Sequence, residues 1–149
     1  MIMGSCLCGG VQFAVEELVG PFELCHCRRC RKASGSAFKA RVGVRRRGFR
    51  FLQGEDLVRT FEARVIESPP GYATAWCALC GSPAPSAPRE GDWFEIDAGL
   101  FDDDLSLAPD KHIYVECAAN WDQIADDVPK YDKPTLLALR RGNTNRRND

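Results

Sequence analysis

The sequence predicts a mainly β protein, built from short antiparallel strands with few short helices. Short runs of alternating apolar and polar residues recur along the chain, and turn-forming residues separate them. Only two short segments have helical character. The chain also has eight cysteines, seven of them in three tight groups, which would hold such short strands together.

The predicted strands follow one another with turns between them. The alternation is clearest in residues 11–15 and 38–45, where every second residue is apolar. Five further strands are predicted from short apolar runs at residues 49–52, 57–61, 72–76, 93–99 and 113–117. Turns are predicted at residues 54–56, 69–71, 83–91 and 102–104, which are rich in Gly, Pro and Asp.

Helices are predicted in two places. Residues 28–34 would form one or two turns that end at Gly35, and residues 136–141 would form a terminal helix between Pro134 and Gly142. The chain has 149 residues, a common size for one domain. We therefore expect one domain over residues 1–141, followed by a mobile polar tail over residues 142–149.

The composition argues against several classes of protein. Lys and Arg number 20 against 21 Asp and Glu, and the net charge of −1 argues against bulk attraction to nucleic acid or to a membrane surface. No apolar run approaches the length of a spanning helix, and the first residues lack the pattern of a secretory signal. We expect a cytoplasmic protein, in which disulfides are rare.

Four cysteines in two pairs predict a first metal site. Cys6-x-Cys8 and Cys77-x-x-Cys80 together offer four thiolates, which is the ligand set of a structural zinc ion. Glycines follow both pairs and permit the tight turns that such knuckles need. The alternative is that these are four buried thiols without a metal, but close pairing of cysteines favours zinc.

Three more cysteines predict a second zinc site. Cys25, Cys27 and Cys30 lie within six residues, with no fourth cysteine nearby in the sequence. Three ligands and one open position are typical of a catalytic zinc ion, which lowers the pKa of a bound water or thiol. His26, Cys117 or a carboxylate remain alternatives for a fourth ligand.

Basic side chains flank this second group: Arg28, Arg29, Arg31 and Lys32. Cations at this place would help to keep the thiolates ionised, and arginine binds carboxylates in a bidentate manner. Arg28 and Arg29 are therefore the candidate substrate-binding residues. The alternative is a solvated basic turn without a ligand.

The motifs resemble those of the glutathione-dependent formaldehyde-activating family, whose domain also occurs in centromere protein V. The matching blocks lie in the expected order at residues 4–13, 25–38, 76–83, 112–121 and 126–129. The resemblance implies a β-tent fold, a structural zinc on Cys6, Cys8, Cys77 and Cys80, and a functional zinc on Cys25, Cys27 and Cys30.

The same resemblance implies an enzyme of the carbon–sulfur lyase type. The enzyme would join a small thiol such as glutathione to an aldehyde such as formaldehyde. Whether it forms a homo-oligomer stays open. A different class is a non-catalytic zinc module that binds a protein or a nucleic acid. That module would use arginines that could contact phosphate, namely Arg45, Arg46, Arg47, Arg140, Arg141, Arg146 and Arg147.

Overall fold

The computed structural model describes residues 1–64 and 71–145, and the mainly β fold class is confirmed. The strands are β1 (Ile2–Ser5), β2 (Gln12–Val15), β3 (Leu18–Cys25), β4 (Lys39–Arg45), β5 (Phe49–Gln53), β6 (Val58–Ala63), β7 (Tyr72–Cys77), β8 (Trp93–Asp97), β9 (Lys111–Ile113) and β10 (Lys130–Tyr131). The helices are α1 (Arg28–Ser34) and α2 (Lys133–Asn145).

The chain divides into two compact units, each formed by two segments. Unit 1 comprises Met1–Phe22 and Arg41–Ala108, and unit 2 comprises Glu23–Ala40 and Pro109–Asp149. The strands β3 and β4 are hydrogen-bonded neighbours, and each contributes residues to both units. Neither helix in the described residues is both long and apolar enough to cross a membrane.

Unit 1 contains an apolar core. The strand β2 is central in an antiparallel sheet of order β1-β2-β5, and β4 pairs with β8, also antiparallel. The core consists of buried side chains from these strands and the turn after β8: Phe13, Val15, Val44, Phe94, Ile96 and Leu100. Burial of each such side chain contributes about 1.5–3 kcal/mol.

The strands β6 and β7 form an antiparallel pair in unit 1 and place one cysteine knuckle. The register runs from Val58 opposite Cys77 to Ala63 opposite Tyr72. Cys77 is therefore the last residue of a paired strand, and its side chain is fully buried beside Cys6 and Val11. Of the turn predicted at residues 69–71, residues 69 and 70 lie outside the described residues.

In unit 2, the strand β9 pairs in parallel with both β10 and β3. The sequence predicts antiparallel strands, and parallel pairing arises here because β3 and β9 are far apart in the chain and no hairpin constrains their direction. The register places Ile113 opposite Cys25 and His112 opposite Leu24. This register brings β9 alongside the residues that lead into α1.

A part-buried ion pair attaches the helix α2 to β3. Arg140 on α2 donates from Nη2 to both carboxylate oxygens of Glu23, at 3.2 and 3.0 Å. Glu23 is buried, and Lys111 lies 3.6 Å from its Oε1. A buried carboxylate needs such partners, because removing one partner leaves an uncompensated charge.

Some predicted elements differ from the structure. The sequence does not predict β3, because Gly20-Pro21 in the middle of this strand has the composition of a turn. The strand predicted at residues 93–99 ends at Asp97. Of the strand predicted at residues 113–117, only Ile113 is in a strand, as the last residue of β9, and 3₁₀ turns follow β8 and β9. The terminal helix passes through Gly142 to Asn145, and residues 146–149 of the predicted tail lie outside the described residues, so the mobility of the tail stays a prediction.

Candidate metal centres and an adjacent cleft

The four cysteines of the two pairs converge in unit 1, and we call them the four-cysteine cluster: Cys6, Cys8, Cys77 and Cys80. Their Sγ atoms all lie within 4.8 Å of one another. The Sγ atoms of Cys6 and Cys8 are 3.6 Å apart, and those of Cys8 and Cys77 are 4.0 Å apart. A zinc ion with Zn–S bonds of about 2.3 Å has tetrahedral S···S edges of about 3.8 Å. The spacing therefore fits a zinc ion.

Backbone turns and N–H donors shape this cluster. Gly9 and Gly81 have φ values of +72° and +74°, a conformation that glycine adopts without strain. The Val11 N–H donates to Cys6 Sγ at 3.2 Å. The Leu7 N–H donates to Ser82 Oγ at 3.1 Å, which joins one knuckle to the other.

The surroundings shift the pKa values of two thiols of this cluster in opposite directions. Hydrogen bonds from Ser82 lower the pKa of Cys80 to about 6. A hydrogen bond from the Gly10 N–H favours a lower pKa for Cys8. The sulfurs of Cys6 and Cys80 outweigh it and raise the pKa of Cys8 to about 11. All eight cysteines carry free thiols, so no disulfide accounts for this crowding of sulfur. A divalent cation would neutralise the charge that these thiolates share.

The second group lies in unit 2, and we call it the three-cysteine cluster: Cys25, Cys27 and Cys30. Cys25 ends β3, Cys27 is the N-cap of α1, and Cys30 lies in the first turn of that helix. The three Sγ atoms lie within 4.8 Å of one another, and neither His26 nor Cys117 belongs to this group. The cluster therefore offers three thiolate ligands, which fit a zinc ion with one position left for another ligand.

The sulfurs of the three-cysteine cluster strongly influence one another. Hydrogen bonds from Cys25 and Cys30 lower the pKa of Cys27 to about 2. Hydrogen bonds with Cys27 and Cys30, together with burial, raise the pKa of Cys25 well above its usual value. The Cys30 N–H also donates to Cys27 Sγ at 3.4 Å, as at a helix N-cap.

His26 lies between two cysteines of this cluster, but its side chain contacts another histidine. Its Nε2 is 2.8 Å from Nδ1 of His112, and Nε2 of His112 is 3.0 Å from the Asp126 carboxylate. His112 therefore has a hydrogen-bond partner at each of its two ring nitrogens. Sequence reasoning did not find Asp126 as the partner, because 14 residues separate the two.

A cationic cleft of about 460 Å³ lies along α1 in unit 2. It is lined by three cations, by a Gly-Ser turn and by an aromatic side chain: Arg28, Arg31, Lys32, Gly35, Ser36 and Trp121. The Trp121 side chain is 67% exposed, and Arg31 donates to the Cys117 carbonyl at 2.9 Å. Arg29 does not line the cleft, although Arg28 beside it does.

Several of the arginines considered for nucleic-acid binding have protein partners. Arg45 lies 3.5 Å from Glu17, Arg46 donates to the Gly91 carbonyl at 2.7 Å, and Arg140 binds Glu23. Arg146 and Arg147 lie outside the described residues. The cations of the cleft, by contrast, lie on one helix and converge on one cavity.

Comparisons with known proteins identify the family. A family model described as glutathione-dependent formaldehyde-activating enzyme matches residues 1–117, which include both cysteine clusters. A search of curated proteins found no match. A crystal structure of a Rhodobacter sphaeroides protein is similar, with a TM-score of 0.51 and 17% identity over 72% of this chain and 92% of that one. That identity supports a likeness of fold alone. Because the family model covers more than half of the sequence, the chain belongs to the glutathione-dependent formaldehyde-activating enzyme family.

Proposed function

We propose that the protein joins a small thiol of the glutathione class to an aldehyde such as formaldehyde. In this reaction a C–S bond forms, the carbonyl π bond breaks, and the thiol proton ends on the former carbonyl oxygen. The reverse reaction is a carbon–sulfur lyase step. The observation that carries the proposal is that one short helix contributes both to the three-cysteine cluster and to the cationic cleft.

The cleft has the properties of a small-ligand site. Its volume of about 460 Å³ is within the range of about 300–1,000 Å³ of such sites. Three cations would bind the carboxylates of an anionic thiol, and the exposed face of Trp121 would cover its apolar part. Because Cys27 caps this helix and Cys30 lies in it, a ligand held here would bring its sulfur towards the three-cysteine cluster.

The clusters differ in the role that we assign to them. The four-cysteine cluster is the structural zinc site, because four thiolates complete a tetrahedron and leave no position for a substrate. The three-cysteine cluster is the functional one. A zinc ion in it would supply a Lewis acid that stabilises a thiolate at neutral pH. The protein would act in the cytoplasm, where small thiols stay reduced.

Two zinc ions per chain are expected in protein prepared with ample zinc. One ion should resist chelators, while the ion of the three-cysteine cluster should leave first, since three ligands hold a metal less firmly than four. Elemental analysis before and after dialysis against a chelator measures both ions. Protein without zinc, or with disulfides among the four-cysteine cluster, would contradict the assignment.

Removing cleft cations should weaken thiol binding. In the double variant Arg28→Gln/Lys32→Gln, we expect the dissociation constant of glutathione to rise at least tenfold, roughly the effect of losing one charge-assisted hydrogen bond. Titration calorimetry on the zinc-loaded protein measures this constant. Zinc content should stay unchanged, because neither side chain belongs to a cysteine cluster.

Arg29→Gln is the matched control for this double variant. Arg29 lies on the same helix but does not line the cleft, so its replacement should leave glutathione binding within about twofold of the wild-type protein. If the control weakens binding as much as the double variant, the cleft is not where the anion binds.

The activity itself is tested by exchange spectroscopy with ¹³C-labelled formaldehyde and glutathione. The zinc-loaded protein should accelerate exchange between free formaldehyde and its glutathione adduct, and the protein without zinc should not. An exchange rate equal to the uncatalysed rate would exclude this reaction.

A further inference from the structure

Three side chains of unit 2 form a hydrogen-bonded chain that ends beside the three-cysteine cluster. The Asp126 carboxylate lies 3.0 and 3.1 Å from His112 Nε2, and His112 Nδ1 lies 2.8 Å from His26 Nε2. Both imidazole rings are buried, with 0% exposure for His26 and 2% for His112. The Asp126 side chain is half-exposed at the outer end.

The chemistry of the outer group determines the direction of these hydrogen bonds. Desolvation alone would raise the pKa of Asp126, but hydrogen bonds from His112 and the Val128 N–H lower it below its usual value. This carboxylate is therefore ionised. An ionised carboxylate only accepts, so the proton of this hydrogen bond is on His112 Nε2, and in the neutral imidazole His112 Nδ1 is then the acceptor. His26 therefore donates from Nε2 to His112.

This chain restrains the peptide that links two cysteines. His26 follows Cys25 and precedes Cys27, and its backbone N–H donates to the Ile113 carbonyl at 3.0 Å. Two consecutive residues of β9, His112 and Ile113, thus hold the side chain and the main chain of His26. The His26 ring also packs against Phe38, with centroids 5.5 Å apart.

We propose that His112, supported by Asp126, is a positioning residue for the three-cysteine cluster. By holding His26, it fixes the two peptide units that carry Cys25 and Cys27, so that their sulfurs converge before a metal binds. This inference rests on the proposed function of the cluster as a metal site. Outer partners of this kind contribute about 10- to 100-fold to metal affinity.

Cobalt binding by the full chain tests the inference with the metal alone. Co²⁺ bound by thiolates gives a sulfur-to-metal absorption band, and competition with a chelator gives the affinity of each cluster. The variant Cys27→Ser identifies which binding step belongs to the three-cysteine cluster. The four-cysteine cluster is an internal control, because its residues all belong to unit 1.

Three variants separate positioning from packing. His112→Leu removes the acceptor, and we expect it to weaken cobalt binding at the three-cysteine cluster by about 10- to 100-fold. His112→Asn places an amide oxygen near the position of Nδ1, so it should restore most of that loss. Asp126→Ala should weaken binding several-fold, while Asp127→Ala, which alters the adjacent exposed carboxylate, should not.

The outcomes are distinguishable from a failure of the proposed function. If the wild-type three-cysteine cluster binds no cobalt, the proposed function fails. If the wild type binds cobalt but His112→Leu binds it as tightly, only the positioning role is overturned. Should His112→Leu not fold, equal cobalt affinities for Asp126→Ala and Asp127→Ala would overturn it.

Discussion

Replacing Cys77 by serine is expected to lower the melting temperature by roughly 10 °C or more and to leave much of the protein insoluble. Cys77 ends β7, while its partner Cys8 lies 69 residues earlier in the sequence. A zinc ion shared by the two knuckles closes this long loop, and its binding energy stabilises only the folded chain. Thermal unfolding followed by circular dichroism measures the change.

The burial of Cys77 requires a control for polarity. The Cys77 side chain is fully buried, so a serine hydroxyl there costs stability even without a metal. The role of the metal is isolated by adding a strong chelator. The melting temperature of the wild-type protein should fall with chelator, and that of Cys77→Ser should not change further. Cys117→Ser makes the same chemical change outside both clusters and should shift the melting temperature by only a few degrees.

Both cysteine groupings are visible in the sequence because each knuckle is local. Two sulfurs separated by one or two residues can share an ion whatever the rest of the chain does, so spacing alone predicts candidate ligands. The approach of the Cys6–Cys8 pair to the Cys77–Cys80 pair is a long-range contact, which spacing alone does not determine. It depends on the β6–β7 register, which places Cys77 opposite Val58, and a single sequence does not specify that register.

The errors in the strand predictions have identifiable physical causes. Tyr114 has a φ of +58°, a conformation that a tyrosine adopts only when the surrounding structure imposes it, and this ends β9 early. The apolar alternation of residues 113–117 carries no sign of this. In β3, Gly20-Pro21 suggests a turn, yet tertiary pairing keeps the strand continuous from Leu18 to Cys25.

The cleft and the histidine chain depend on contacts that sequence distance conceals. Trp121 lines a cavity with α1, although some ninety residues separate them, and His26 reaches His112 across 86 residues. The sequence shows the basic residues after Cys27, but it does not indicate which of them line the cavity. Helix geometry makes that distinction, because Arg28 and Arg31 are three residues apart and lie on the same face.

Replacing Cys27 by serine is expected to abolish thiol–aldehyde joining and to remove one of the two zinc ions. The chain should nevertheless fold, with a melting temperature within a few degrees of the wild-type value. The three-cysteine cluster lies within six residues, so its metal closes almost no loop and contributes little to folding. Cys27 is also the N-cap of α1, and serine is a preferred residue at that position.

The measurements are zinc content, melting temperature and exchange rate, made side by side for Cys27→Ser and Cys77→Ser. With only two thiolates left, the three-cysteine cluster no longer provides the three-ligand set that a functional zinc ion needs. The exchange rate should therefore fall to the uncatalysed value, while the four-cysteine cluster keeps its ion. If Cys27→Ser destabilises the fold as strongly as Cys77→Ser, both clusters serve the scaffold, and the assignment of a structural and a functional zinc is wrong.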